Sequence, residues 1–192
     1  MDADDLVVAL SKAEGHYRRC LFLGALLTKE TGLGIDGLTV VGGSALEIYT
    51  EGDYVSQDID VVAGDFDKVE RVLKKWRFRH DGMYWTLRAL GLDVQLVNRY
   101  DSAPSHLSRV VETPYGPVRL GAMEYILVKR LAEVRYWERP RPDGEGRSAR
   151  FAEAELLARR FHREMDWEYV EFHSKREGIE DLLAKLRQRI GA

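Results

Sequence analysis

The sequence predicts an α+β fold, with helices packed on a mixed β-sheet and a helical C-terminal region after it. Three observations carry this expectation. The run Val40-Val41-Gly42-Gly43-Ser44-Ala45-Leu46 reads as a strand that breaks at two glycines and enters a helix. The run Asp58-Ile59-Asp60-Val61-Val62 alternates charged and apolar residues, as a strand with one polar face does. Beyond Gly121 the apolar residues fall into helical spacing. The predicted division is an N-terminal helix over residues 1–36 packed on the core, an α/β core over 37–120, and a helical region over 121–192.

Taken in order, Leu6, Leu10, Ala13, Tyr17, Cys20, Leu21, Gly24 and Leu27 recur at three- and four-residue steps. They predict one amphipathic helix over 4–31, weakened at Gly15 and stopped by Gly32-Leu33-Gly34. A strand over 38–41 leads to a short helix over 44–50 that ends at Gly52. The Asp58-x-Asp60 strand covers 58–62, and a helix over 67–76 turns Val69, Val72 and Leu73 inward. Two more strands are expected at 83–89 and 92–97, turning at Gly91. Residues 109–112 and 117–120 read as a hairpin around Pro114-Tyr115-Gly116, with Pro117 suited to an edge. A helix over 123–137, a linker over 140–146 and further helix with a break near Gly178 complete the chain.

A chain of 192 residues, 45% apolar and 32% charged, is long enough to bury a sizeable core and is not of disordered composition. Its net charge of -3 gives no general attraction for nucleic acid, and clusters such as Lys74-Lys75-Trp76-Arg77 read as solvated helix faces. The single Cys20, set among Leu21, Phe22 and Leu23, excludes an internal disulfide and reads as a core thiol. His16, His80, His106, His162 and His173 are scattered, and none is expected to have a partner spaced for zinc. The acidic start lacks a signal peptide's basic region, and no apolar run reaches membrane-spanning length. The expectation is a cytoplasmic protein.

The chemistry concentrates in the glycine turn and the aspartate pair. Gly42 and Gly43 remove side chains that would hold a phosphate away from the backbone. Ser44 falls at a helix start, where free amides and the helix dipole favour an anion, although it also suits a plain N-cap. Asp58 and Asp60 leave the same strand face, where two like charges resist desolvation unless a cation joins them. Magnesium prefers carboxylate together with phosphate oxygen, so the pair suits a metal-bound triphosphate. Asp93, alternating with Gln95 between apolar residues, is the candidate third carboxylate if its strand lies beside that of Asp58 and Asp60. The other reading makes Asp93 and Gln95 simply the wet side of a sheet.

Together these residues resemble the nucleotidyltransferase superfamily that includes DNA polymerase beta. Gly43-Ser44 matches its turn, Asp58 and Asp60 its metal pair, and Asp93 its third acid. The layout beyond is similar to small prokaryotic nucleotidyltransferases related to the abortive-infection toxins of the AbiEii type. In those a lysine follows on a helix, and Lys129 corresponds to it; Ser56 keeps the small hydroxyl common before the aspartate pair. The chain departs from the pattern in Asp53-Tyr54-Val55-Ser56-Gln57, which lacks the family's basic residue.

The resemblance implies a nucleotidyltransferase-like mixed sheet and a magnesium-dependent enzyme, with manganese as a substitute ion. It would move a nucleoside monophosphate from a nucleoside triphosphate to an acceptor hydroxyl on RNA, protein or a small molecule, releasing pyrophosphate. The implied catalytic and metal-binding residues are Asp58, Asp60 and Asp93, and the implied nucleotide-binding residues are Gly42, Gly43, Ser44, Ser56 and Lys129. The alternative is a nucleotide-binding module with weak or absent catalysis, one half of a toxin–antitoxin pair. A third reading is an interaction protein that forms oligomers through its C-terminal helices.

Overall fold

The computed structural model describes residues 1–97, 105–136 and 149–191. The expected linker over 140–146 and the end of the preceding helix at Trp137 lie outside the described residues. The chain divides into two compact units, Met1–Gly121 and Ala122–Ala192.

The first unit is a seven-stranded mixed sheet with helices. Its elements are α1 (Ala3–Ser11), α2 (His16–Thr31), β1 (Leu38–Val41), α3 (Gly42–Tyr49), β2 (Ile59–Ala63), α4 (Phe66–Lys75), β3 (Arg79–Asp81), β4 (Tyr84–Leu87), β5 (Leu92–Leu96), β6 (Arg109–Val111) and β7 (Val118–Leu120). The strand order is β3-β4-β5-β2-β1-β7-β6. β2 runs parallel to β5 and β1 parallel to β7, while the other neighbours are antiparallel.

Alternation along the strands sorts the residues into two faces. Val40 pairs with Val61, Ile59 with Val94 and Trp85 with Val94, and all five are buried. This apolar face is the one α2 packs on. A Cβ on Gly24 would lie 2.8 Å from Val40 Cγ2 and 2.9 Å from Val118 Cγ2. The opposite face carries Asp60, Gln95, Tyr84, Asp93 and Thr86.

Two local readings are corrected. The single helix expected over 4–31 is two helices, because Gly15 takes φ +82°, outside the right-handed helical region. Asp2 and Asp5 form a capping box that starts α1. Strand β3 was not foreseen. Its Arg79, His80 and Asp81 are all exposed, so they show no apolar alternation, and pairing with β4 alone makes them a strand.

The second unit comprises α5 (Met123–Tyr136), α6 (Ala149–Phe161), α7 (Trp167–Glu177) and α8 (Glu180–Ile190). Leu127, Leu131, Leu157, Val170 and Leu186 are among its fully buried residues. Arg130 Nε lies 2.8 Å from Glu153, and Arg150 Nε 3.2 Å from Glu133, which cross-links α5 and α6. Glu124 accepts the Asp166 amide at 3.0 Å and so fastens α5 to the cap of α7. Among the described residues no helix is long and apolar enough to cross a membrane.

Replacing Gly24 tests the packing of α2. Alanine improves helix propensity by about 1 kcal/mol, but overpacking against two stiff valines costs about 1–3 kcal/mol. Gly24→Ala should therefore lower the urea unfolding midpoint, and an unchanged or raised midpoint would contradict the close approach.

Candidate active site

The site grows from the turn between β1 and α3. Val41 is extended, at φ -129° and ψ -172°, and Gly42 then enters α3 with φ +62°. A Cβ at position 42 would lie 2.2 Å from Asp60 Oδ2. The space left by this glycine is therefore filled by the Asp60 carboxylate. The Gly43 amide donates to Asp60 Oδ2 at 3.3 Å, so the first turn of α3 steadies that charge.

Ser44 plays an inward part. Its hydroxyl donates to Val41 O at 2.9 Å and accepts the Asp60 amide at 3.1 Å, with none of the residue exposed. The hydroxyl thus ties the turn to β2 and is enclosed by the fold. Ser56 is also buried. Its amide donates to Glu47 Oε2 at 2.9 Å, and its hydroxyl donates to Asp58 Oδ1 at 3.5 Å.

The parallel register of β2 and β5 sets Asp60 opposite Gln95 and Ile59 opposite Val94. Asp58 lies in the bend just before β2, which begins at Ile59 and not at Asp58 as the alternation predicted. Asp60 on β2 and Asp93 on β5 share one face of the sheet, with Asp58 two residues before Asp60, and each is half-buried. Thr86, opposite Asp93 on β4, donates its hydroxyl to Asp93 Oδ1 at 2.5 Å. Among the described residues, neither Asp58 nor Asp93 has an ion-pair partner.

Tyr84, opposite Gln95 on β4, reports the combined charge. Its phenol is pushed above its ordinary value, first by the charge of Asp58. Desolvation, the charge of Asp60, a hydrogen bond to Asp58 and the charge of Asp93 follow in that order. One hydroxyl thus feels all three carboxylates.

Of the residues singled out in the sequence, Gly42, Gly43, Ser44, Ser56, Asp58, Asp60 and Asp93 all belong to the sheet unit. Lys129 belongs to the helical unit, exposed on α5, with Nζ 5.6 Å from the Tyr125 ring centre. Tyr84 and Thr86 were missed. Their alternation with Trp85 and Leu87 was the available signal, but only strand pairing shows which acids they meet. The histidines are not spaced along the sequence for zinc, but tertiary packing places one ligand atom each of His16, Cys20 and Glu47 within 4.8 Å of one another. His16 and Cys20 are one helical turn apart on α2, and Glu47 arrives from α3 through tertiary packing. Cys20 itself is fully buried, as a core thiol would be.

No protein-family model matches the chain, and no curated protein matches it at a significant level. Among solved structures, the chain is similar to the crystal structure of an antigenic nucleotidyltransferase-like protein from Paracoccidioides brasiliensis. The TM-score is 0.54 at 15% identity, over 98% of this chain and 90% of that one. The fold is nucleotidyltransferase-like. A weaker likeness, on which nothing below rests, is to the solution structure of the antibiotic-resistance factor ANT(2'')-Ia, with TM-score 0.46 and 16% identity over 88% of this chain and 97% of that one.

Two measurements check this geometry. Because the carboxylate charges oppose the phenolate, Tyr84 should release its proton at higher pH than an ordinary tyrosine, and Asp58→Asn should bring that release back down. A tyrosine absorbance titration that is identical in the two proteins would separate Tyr84 from Asp58. Gly42→Ala should destabilise the protein by at least about 1–2 kcal/mol for its left-handed backbone alone, read as a lower urea midpoint.

Proposed function

We propose that this protein is a magnesium-dependent nucleotidyltransferase that moves a nucleoside monophosphate from a nucleoside triphosphate to an acceptor hydroxyl. The observation that carries the proposal is the placement of Asp60 and Asp93 on one face of the adjacent β2 and β5, with Asp58 two residues before Asp60 and all three acting on Tyr84. The nucleotidyltransferase-like fold supports it. The residues fit the ion: three hard oxygen donors stand together, and neither Asp58 nor Asp93 has an ion-pair partner among the described residues. Asp58, Asp60 and Asp93 would hold it. When bound, magnesium supplies charge neutralisation and orientation of phosphate oxygens.

The chain's own groups prepare the reaction in three ways. Asp60 is positioned at its amide by Ser44 and at its carboxylate by the Gly43 amide. Asp58 is oriented by Ser56 and Tyr84. Asp93 gives Oδ1 to the Thr86 hydroxyl, which orients the carboxylate and leaves Oδ2 to take the acceptor's proton. The acceptor oxygen forms a bond to the alpha phosphorus as the bond to pyrophosphate breaks, so no oxidant or reductant is consumed. The Gly42-Gly43 turn gives its free space and the Gly43 amide to the Asp60 carboxylate, and so sets that oxygen toward the proposed ion. The Ser44 hydroxyl, being enclosed, shapes the turn.

Incubation with labelled nucleoside triphosphates, magnesium and a panel of acceptors tests the proposal. Wild-type protein should transfer label and release pyrophosphate. Asp58→Asn, Asp60→Asn and Asp93→Asn should each lose about a hundredfold or more in turnover while keeping the wild-type circular dichroism spectrum. Label transfer at the wild-type rate by Asp58→Asn would overturn the assignment.

A further inference from the structure

The polar face of the sheet continues past Asp93, away from Asp60, to the outer edge at β3. Thr86 pairs with Asp93 on one side and with Arg79 on the other, so Arg79, Thr86 and Asp93 form one row across β3, β4 and β5. Two strand spacings, about 10 Å, separate the Arg79 backbone from that of Asp93. Arg79 is exposed and has no ion-pair partner among the described residues. Even Asp81, two residues along β3, makes no ion pair with it.

Arg79 and Thr86 also line a pocket of about 280 Å³, together with Asp4, Trp76, Arg77 and Arg88. Three arginines therefore face one aspartate in its lining. Arg77 pairs with Asp4 at 3.1 Å, whereas Arg88, like Arg79, is exposed and has no ion-pair partner among the described residues. Two positive charges are left uncompensated. Arg77 itself follows the last residue of α4 with φ +63°, a left-handed position where glycine is the relaxed choice. An arginine is thus kept at the pocket despite backbone strain.

The chemistry that fits is a phosphate monoester. Guanidinium forks match phosphate oxygens in pairs. A monoester above its second pKa of about 6 carries nearly two negative charges, which matches the two uncompensated arginines. The pocket is smaller than the about 300–1,000 Å³ of a drug-sized ligand's site, so it suits a phosphoryl group rather than a whole substrate. The row then runs from this group to Asp93, on the side away from Asp60. We propose that Arg79 and Arg88 bind the phosphate of a phosphomonoester acceptor, which sets the acceptor hydroxyl toward Asp93. A span of at most about 10 Å between the two groups suits a sugar phosphate, and a cationic acceptor would be repelled. No bond is made or broken at the pocket. Its part in acceptor choice rests on the nucleotidyl transfer proposed above, whereas phosphate binding itself does not.

Inorganic phosphate is the first probe. Titrated into the isotopically labelled, intact protein at constant ionic strength, it should shift the NMR signals of the Arg79 and Arg88 Nε–H groups to saturation. Arg79→Gln and Arg88→Gln, both at exposed positions, should each weaken this binding about tenfold, as loss of a charged hydrogen bond does. Shifts that never saturate, or wild-type affinity in both variants, would overturn the proposal. The second probe is a sugar phosphate, compared with the same sugar lacking its phosphate, in the transfer assay with labelled nucleoside triphosphate and magnesium. The phosphorylated acceptor should show a KM at least about tenfold lower, and Arg79→Gln should remove that advantage. If Arg79→Gln instead raises the KM for the triphosphate, the pocket holds the nucleotide's own phosphates and the acceptor assignment is wrong. Asp58→Asn should lose transfer yet bind inorganic phosphate at least as tightly as wild type. Saturable phosphate binding without transfer by the wild type would uphold the pocket and refute the function proposed above.

Discussion

Two carboxylates, Asp60 and Asp93, stand on one face of neighbouring strands with Asp58 just before the first, and several contacts of the first unit keep them there. Strands lie about 5 Å apart, and at that distance two carboxylates in a partly wet site repel by about 3 kcal/mol. Side chains alone would rotate away from such a charge. The backbone prevents this, because the parallel pairing of β2 with β5 fixes the rows in which the acids stand. Ser44 then ties the Asp60 amide to the preceding turn, the Gly43 amide meets the Asp60 carboxylate, and Thr86 meets Asp93.

The same sheet separates two chemical environments. Its apolar face packs against α2 through Val40 and Val118, with so little space that position 24 is glycine. Its polar face keeps Asp60, Asp93, Gln95, Tyr84 and Thr86 together. Near the aspartates, a buried chain of contacts runs from His16 through Glu47 and Ser56 to Asp58.

The amino-acid sequence by itself determined the features that depend on neighbouring residues. The strand over 38–41, the glycine turn and the start of a helix follow from short-range periodicity and backbone freedom. Tertiary structure alone decided the relations between distant segments. That β5 lies beside β2, which brings Asp93 and, through β4, Tyr84 and Thr86 to the aspartates, comes from a crossover connection that leaves no trace in local spacing. The exposed β3 exists only through its pairing, and the inward turn of Ser44 depends on β2 arriving next to it. His16 and Cys20 showed one helical turn of spacing, but Glu47 reaches them only when α3 packs on α2. Periodicity is set by bonds along the chain, whereas coordination and charge clusters are set by distances through space.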